Sequence, residues 1–174
     1  MKLFFPVLPL LITAIADGQP FNANFKILPI KKKVKDFPDK FDLSSALNSF
    51  ITLKYILING KDGLQRKICS ANKKSSLPDS TAFDSEVPAD IKQQHLNTVI
   101  QEIVLYKDSV AFVISQLTED NGDVYYSVRN FHPENANWVV NGEDLFRDIE
   151  SANKYIHDRA EYFYRDFLLN QKTY

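Results

Sequence analysis

The chain has 174 residues, 44% of them hydrophobic and 13% aromatic, with 21 basic against 22 acidic side chains and a formal charge of −1. That composition excludes a disordered polar chain, and the length suits one domain with a substantial core. The charge balance offers no basic excess to neutralise a phosphate backbone, so no nucleic-acid partner is expected.

The first residues carry the strongest signal. Lys2 supplies a positive charge, "LFFPVLPLLI" is an uncharged apolar run, and Ala14 to Ala16 give an A-x-A pattern of small residues before Asp17. This reads as a secretory signal cleaved after Ala16. The run is too short for the roughly 20 apolar residues of a membrane helix, and Pro6 and Pro9 interrupt it. No later stretch is long enough either, so no transmembrane segment is expected. The organisation expected is a signal peptide over 1–16, an extended segment over 17–40 and a single α+β domain over 41–174, exported to the periplasm or the exterior. Cys69 is the only cysteine, which rules out a disulfide within the chain and leaves the fold to packing alone. Its default role is a buried, inert thiol.

Lys31 to Lys33 read as a solvated linker or a lysine-rich edge strand. In "DLSSALNSFITLKYILING", Asp42 is a plausible N-cap. Leu43, Ala46, Leu47, Phe50 and Ile51 fall at helical spacing, and Gly60 is the stop. A short second helix is expected in "KDGLQRKIC". Residues from Ser70 to Asp90 are rich in Ser, Asp and Pro without periodicity and predict a long surface loop.

From about Asn97 the period becomes two. "NTVIQEIVLYKD" alternates, "SVAFVISQL" is apolar on both sides and therefore central, and Lys107-Asp108 marks a tight hairpin between them. Asn121-Gly122 signals a second hairpin into a strand bearing Tyr125, Ser127 and Arg129 on one face and Tyr126 and Val128 on the other. The loop "HPENAN" then leads to a short last strand, "WVVNG". The chain closes with a long helix, in which Leu145, Ile149, Ala152, Ile156, Ala160, Phe163 and Phe167 step by three or four and Asp144 or Asn141 serves as cap. The expected fold is α+β: N-terminal helices, a curved antiparallel meander of about four strands and a long C-terminal helix.

The stretch "EIVLYKDSVAFVISQLTEDNGDVYYSVRNFHPENANWVV", Glu102 to Val140, resembles the strand core of the nuclear-transport-factor-like superfamily, the SnoaL-like cone fold. There, a pattern like "DSVAFV" is followed by a hairpin and a strand ending in Trp-x-Val, here Trp138 and Val140. In general style the chain is also similar to exported Bacteroidetes proteins. The resemblance implies a sheet curled around an apolar cavity whose mouth the first helices cover, the place for a small apolar ligand. Enzymes of the superfamily set an aspartate with a histidine or tyrosine inside the cone. No such pair aligns here, since Asp108 and Asp123 fall in expected turns and His132 begins a loop.

Other chemistry is sparse. His95, His132 and His157 stand far apart, which argues against a zinc site built on one helix, and no cofactor or metal is expected. There is no G-x-S-x-G elbow and no phosphate-cradling glycine loop; "TEDNGD" has alternate oxygen ligands but not the full calcium-loop pattern. His132, followed by Pro133 and Glu134, has the makings of a base held by a carboxylate, although proline by itself ends a strand there. No catalytic residue is assigned. Two classes of function remain: a noncatalytic exported domain that binds a small apolar ligand or a protein partner, and a small cone-fold hydrolase or isomerase. For either, Tyr106, Tyr126, Arg129, His132 and Trp138 are the candidate pocket residues. Strand parity puts Tyr126 and Arg129 on opposite faces, which weighs against the enzyme.

Overall fold

The segment apolar on both sides, Val110–Thr118, is the middle strand of a five-stranded sheet and has helices on both of its faces. The computed structural model describes residues 23–71, 85–119 and 121–171. The expected export signal and residues 72–84 of the expected loop lie outside them.

The strands are β1 (Phe25–Lys33), β2 (Val99–Tyr106), β3 (Val110–Thr118), β4 (Val124–Glu134) and β5 (Asn137–Phe146), in that order across the sheet and antiparallel throughout. The count is five, not about four. The segment expected as extended contributes β1, an edge strand whose Phe25, Ile27, Leu28 and Ile30 are half-buried while Lys31 to Lys33 stay exposed. Lys31 has φ +50 where the register slips between Pro29 and Lys32, a bulge that bends the edge.

Between β1 and β2 come α1 (Ala46–Ile58), α2 (Gln65–Ile68) and α3 (Ala89–Asn97); α4 (Ile149–Gln171) follows β5. The cap of α1 is Ser45, whose Oγ accepts from the Asn48 N–H at 3.1 Å, rather than Asp42. Asp42 holds the approach instead, accepting from the Ser44 N–H at 2.9 Å. Gly60 does end the helix, at φ +62, and a Cβ there would lie 1.8 Å from the Ser85 carbonyl oxygen. Helix α3 begins at Ala89, inside the expected loop, and nothing in the sequence pattern predicts it. None of its residues is buried, so it lacks the apolar stripe by which a helix announces itself.

Period two decides what each face of the sheet meets. Ile100, Ile103, Ala111, Val113, Phe131 and Val140 point to one side and pack with Phe50, Ile51 and Leu53 of α1 and Ile68 of α2. Val104, Phe112, Ile114 and Val128 point to the other and meet Ala152, Ile156, Ala160 and Phe167 of α4. That helix begins at Ile149, later than expected, with the Asp148 carboxylate accepting from the Ser151 N–H at 2.6 Å. Asp144 and Leu145 belong to β5, which is twice the expected length; Asp144 accepts from the Tyr155 hydroxyl, and Leu145 is exposed.

The hairpins differ in how openly the sequence shows them. Lys107 and Asp108 both take positive φ, 49 and 48, in the tight β2–β3 turn. Gly122 at φ +87 closes the β3–β4 loop as its Asn-Gly signal predicts. The expected loop "HPENAN" is a correction: β4 continues through His132 to Glu134, and only Asn135 and Ala136, at φ 49 and 66, make the turn. A two-residue primed turn normally shows glycine, and its absence hid the hairpin.

Candidate functional site

On the α1 face of the sheet the apolar rows give way to polar side chains toward one end. Beyond Ala111 and Val113 on β3 the same face carries Ser115. Across from Ser115 and Val113 on β4 are Ser127 and Arg129, and opposite these on β5 are Leu145 and Glu143. Arg129 donates from Nη2 to Glu143 Oε2 at 2.5 Å, and Ser127 Oγ donates to Glu143 Oε1 at 2.5 Å. The carboxylate therefore ties two adjacent positions of one strand face.

Lys54 faces this group from α1. It stands one turn beyond Phe50, within the buried side of an otherwise apolar helix, and only 2% of it is exposed. Its Nζ lies 5.5 Å from the centre of the Phe50 ring, and among the described residues no hydrogen-bond acceptor or carboxylate pairs with it. Burial, with the Arg129 charge adding to it and Glu143 opposing, pushes the Lys54 amine from 10.5 down to about 7. At neutral pH a large share of the side chain is therefore the free amine.

His95, on α3, completes the cluster. Its imidazole feels the charges of Lys54, Arg129 and Glu143, and desolvation, followed by the two cations, drives it down to about 4. It is neutral at physiological pH. Burial also lowers Arg129, with Glu143 working against it. Three atoms here are buried without a partner: His95 Nδ1, Ser115 Oγ and Arg129 Nε. Buried polar atoms in a folded protein normally have partners, so three such atoms in a cluster holding an unpaired lysine mark a place arranged for something further.

The cluster is not sealed. Arg129 keeps 13% of its side chain in solvent and Glu143 31%, so the rim at β5 is open. A polar groove of about 340 Å³, lined by Asp90, Ile91 and Gln94 of α3 and by Glu119 and Asn121 of the β3–β4 turn, lies farther along the same layer. Among the described residues no three of His, Cys, Asp and Glu come together as a metal-ligand set, and no helix is long and apolar enough to cross a membrane.

Of the five residues singled out from the sequence, Arg129 alone enters this cluster. Tyr106 and Tyr126 lie on the opposite face with α4, where the Tyr106 hydroxyl donates to Glu161 at 2.8 Å; burial and that carboxylate raise the phenol above its usual value. His132, expected to begin a loop, is a buried strand residue whose ring lies tilted against Phe167, centres 5.7 Å apart. Its Nε2 does meet the Glu134 carboxylate at 3.0 Å, but that carboxylate also accepts from the Ala71 N–H at 3.2 Å, so it joins strand to connecting segment. Trp138 shares the α1 face but serves packing: its side chain lies against the core there, its backbone N–H donates to the Leu43 carbonyl at 2.8 Å, and its backbone carbonyl accepts from Ser49 Oγ at 2.7 Å.

Lys54, His95, Ser115, Ser127 and Glu143 escaped the sequence reading. One of them left a trace: in "FITLKYILI" the lysine falls four residues after Phe50, on the apolar stripe where lysine is rarely found. Ser115, Ser127 and Glu143 gather only through strand pairing, and His95 only through the packing of α3. Comparison of the chain with protein-family models, with curated proteins and with solved structures finds no match.

Proposed function

We propose that the chain is an exported, noncatalytic binding domain whose site is the polar cluster between α1 and the sheet, and whose ligand is a small organic anion. The observation that carries this reading is the excess of buried positive groups: Lys54 and Arg129 share a single carboxylate, Glu143, and Lys54 has no acceptor among the described residues. A buried cation without a counter-charge is costly, and an incoming anion supplies one. The same proposal takes in the cone-fold resemblance, which implies a ligand between the first helices and the sheet. The charge of the cluster turns the expected apolar ligand into an anionic one. Export rests on Lys2, the apolar run and the A-x-A site.

An anion that restores the charge of Lys54 draws a proton onto it. Calorimetric titration with small carboxylates such as lactate, near pH 8 in buffers of different ionisation enthalpy, is expected to show binding with uptake of up to one proton, lost in Lys54→Met. Binding without proton uptake, or binding that survives both Lys54→Met and Arg129→Gln, would place the ligand elsewhere.

A further inference from the structure

We infer that the cluster captures 2-oxo carboxylic acids, the Arg129 guanidinium holding the carboxylate and the Lys54 amine closing on the adjacent ketone as an imine. The inference rests on the anion-binding reading of the same site. It goes further because a 2-oxo acid places a carboxylate and an electrophilic carbon side by side, and this site sets the Arg129 guanidinium on the sheet face that α1 covers, with the Lys54 amine buried on α1 where the two charges act on each other. Guanidinium suits a planar carboxylate, and Arg129 keeps a buried Nε with no partner in addition to the Nη2 committed to Glu143. Lys54 is held against the Phe50 ring with its amine bonded to no acceptor among the described residues. Its low affinity for a proton leaves the nitrogen lone pair available near neutral pH. A lysine desolvated beside a second cation is the arrangement that makes an amine nucleophilic.

The step balances without any oxidant or reductant. The amine lone pair attacks the ketone carbon, a C–N bond forms, and the carbonyl oxygen takes up a proton to give a carbinolamine. With one amine proton already passed to that oxygen, the hydroxyl takes up a second proton and leaves as water as the C–O bond breaks, the nitrogen releases its last proton, and C=N replaces C=O. His95, neutral and with a buried unpartnered Nδ1, and Ser115, with an unpartnered hydroxyl, stand in the same cluster as proton carriers. Hydrolysis reverses the sequence, so the outcome is reversible covalent capture.

The test is reductive trapping of the full chain with pyruvate and cyanoborohydride at about pH 8, followed by intact mass and peptide mapping, with lactate as a competitor that has the carboxylate but no ketone. The expected result is one reduced pyruvyl adduct concentrated on Lys54, at least tenfold above any other lysine, suppressed by excess lactate and missing from Lys54→Met. Arg129→Gln is expected to cut it at least tenfold at low pyruvate. If pyruvate and lactate both bind in the calorimeter but label is spread evenly over the surface lysines, the imine is overturned and the anion site stands. If neither binds and Lys54 is unlabelled, both readings fail together. Should Lys54→Met not fold, the position of the adduct in the unmutated chain decides the matter.

Discussion

A single buried lysine sets the expected response of the molecule to pH. Lys54 is pushed down to about 7 in the folded chain against 10.5 when unfolded, so between those values the unfolded chain holds a proton that the folded chain has released. Stability must then rise with pH from about 7 to about 10, with a slope approaching one proton, and below about 7 the cost of the buried charge is fully present. Lys54→Met is expected to flatten this rise and to be more stable than the parent below pH 7 by about 1–4 kcal/mol, read from urea midpoints across the pH range. Ala136 makes a second test at this scale. It sits at φ +66 in the β4–β5 turn, where an L side chain crowds the backbone and glycine does not. Ala136→Gly is expected to stabilise by about 0.5–1 kcal/mol, net of the added freedom of the unfolded chain, and an unchanged thermal midpoint would refute the strain. Lone residues were the least legible feature of the sequence. His132 looked chemical because proline and glutamate follow it, yet its neighbours in space are Phe167 and Glu134. Arg129 stands out in the sequence only as a polar residue on a strand face, and its importance comes from Lys54, which only the packing of α1 brings near.

Elements were read well where burial imposes a period and poorly where it does not. β3 was recognisable as central because both of its faces are apolar, and α4 because Ala152, Ile156, Ala160, Phe163 and Phe167 recur on one side. α4 starts later than its spacing predicts because Leu145 happens to continue that spacing, although it lies exposed on β5. Two alanines with no exposed surface, Ala152 and Ala160, let α4 approach the sheet closely. Ala160→Leu is expected to destabilise by about 1–3 kcal/mol through overpacking, measured by chemical denaturation, whereas a substitution at the exposed Arg159 should change little. The outer end of the contact is held differently. Lys107 at the β2–β3 turn donates to Glu161 at 2.8 Å while lying 4.4 Å from the centre of the Tyr164 ring, and these hydrogen bonds, with Tyr106 and Arg165 joining, hold Glu161 down near 2. Much of this pair is in solvent, so it fixes where the helix lies more than it adds stability.

At the scale of the molecule, the class of fold was legible in the sequence and the candidate site was not. Mixed helix and antiparallel sheet follow from the change of period near Asn97 and from the closing helix. The site required knowing which strands adjoin, because Ser115, Ser127, Arg129 and Glu143 share a face only through register. The fifth strand is half legible for the same reason: the lysine-rich segment reads as a linker or as an edge strand, and it pairs because β2 offers a partner far along the chain. That pairing also imposes an order in time. β2 to β5 are joined by short turns and can zip together from neighbouring contacts, whereas Phe25 must wait for Tyr106, the whole helical layer intervening. As synthesis proceeds from the N-terminus, β1 is the first of the described strands to emerge and among the last to find its place. Lys26 and Lys31 to Lys33 repel like copies through that interval, so the residues that guard the finished edge also guard the unfinished chain.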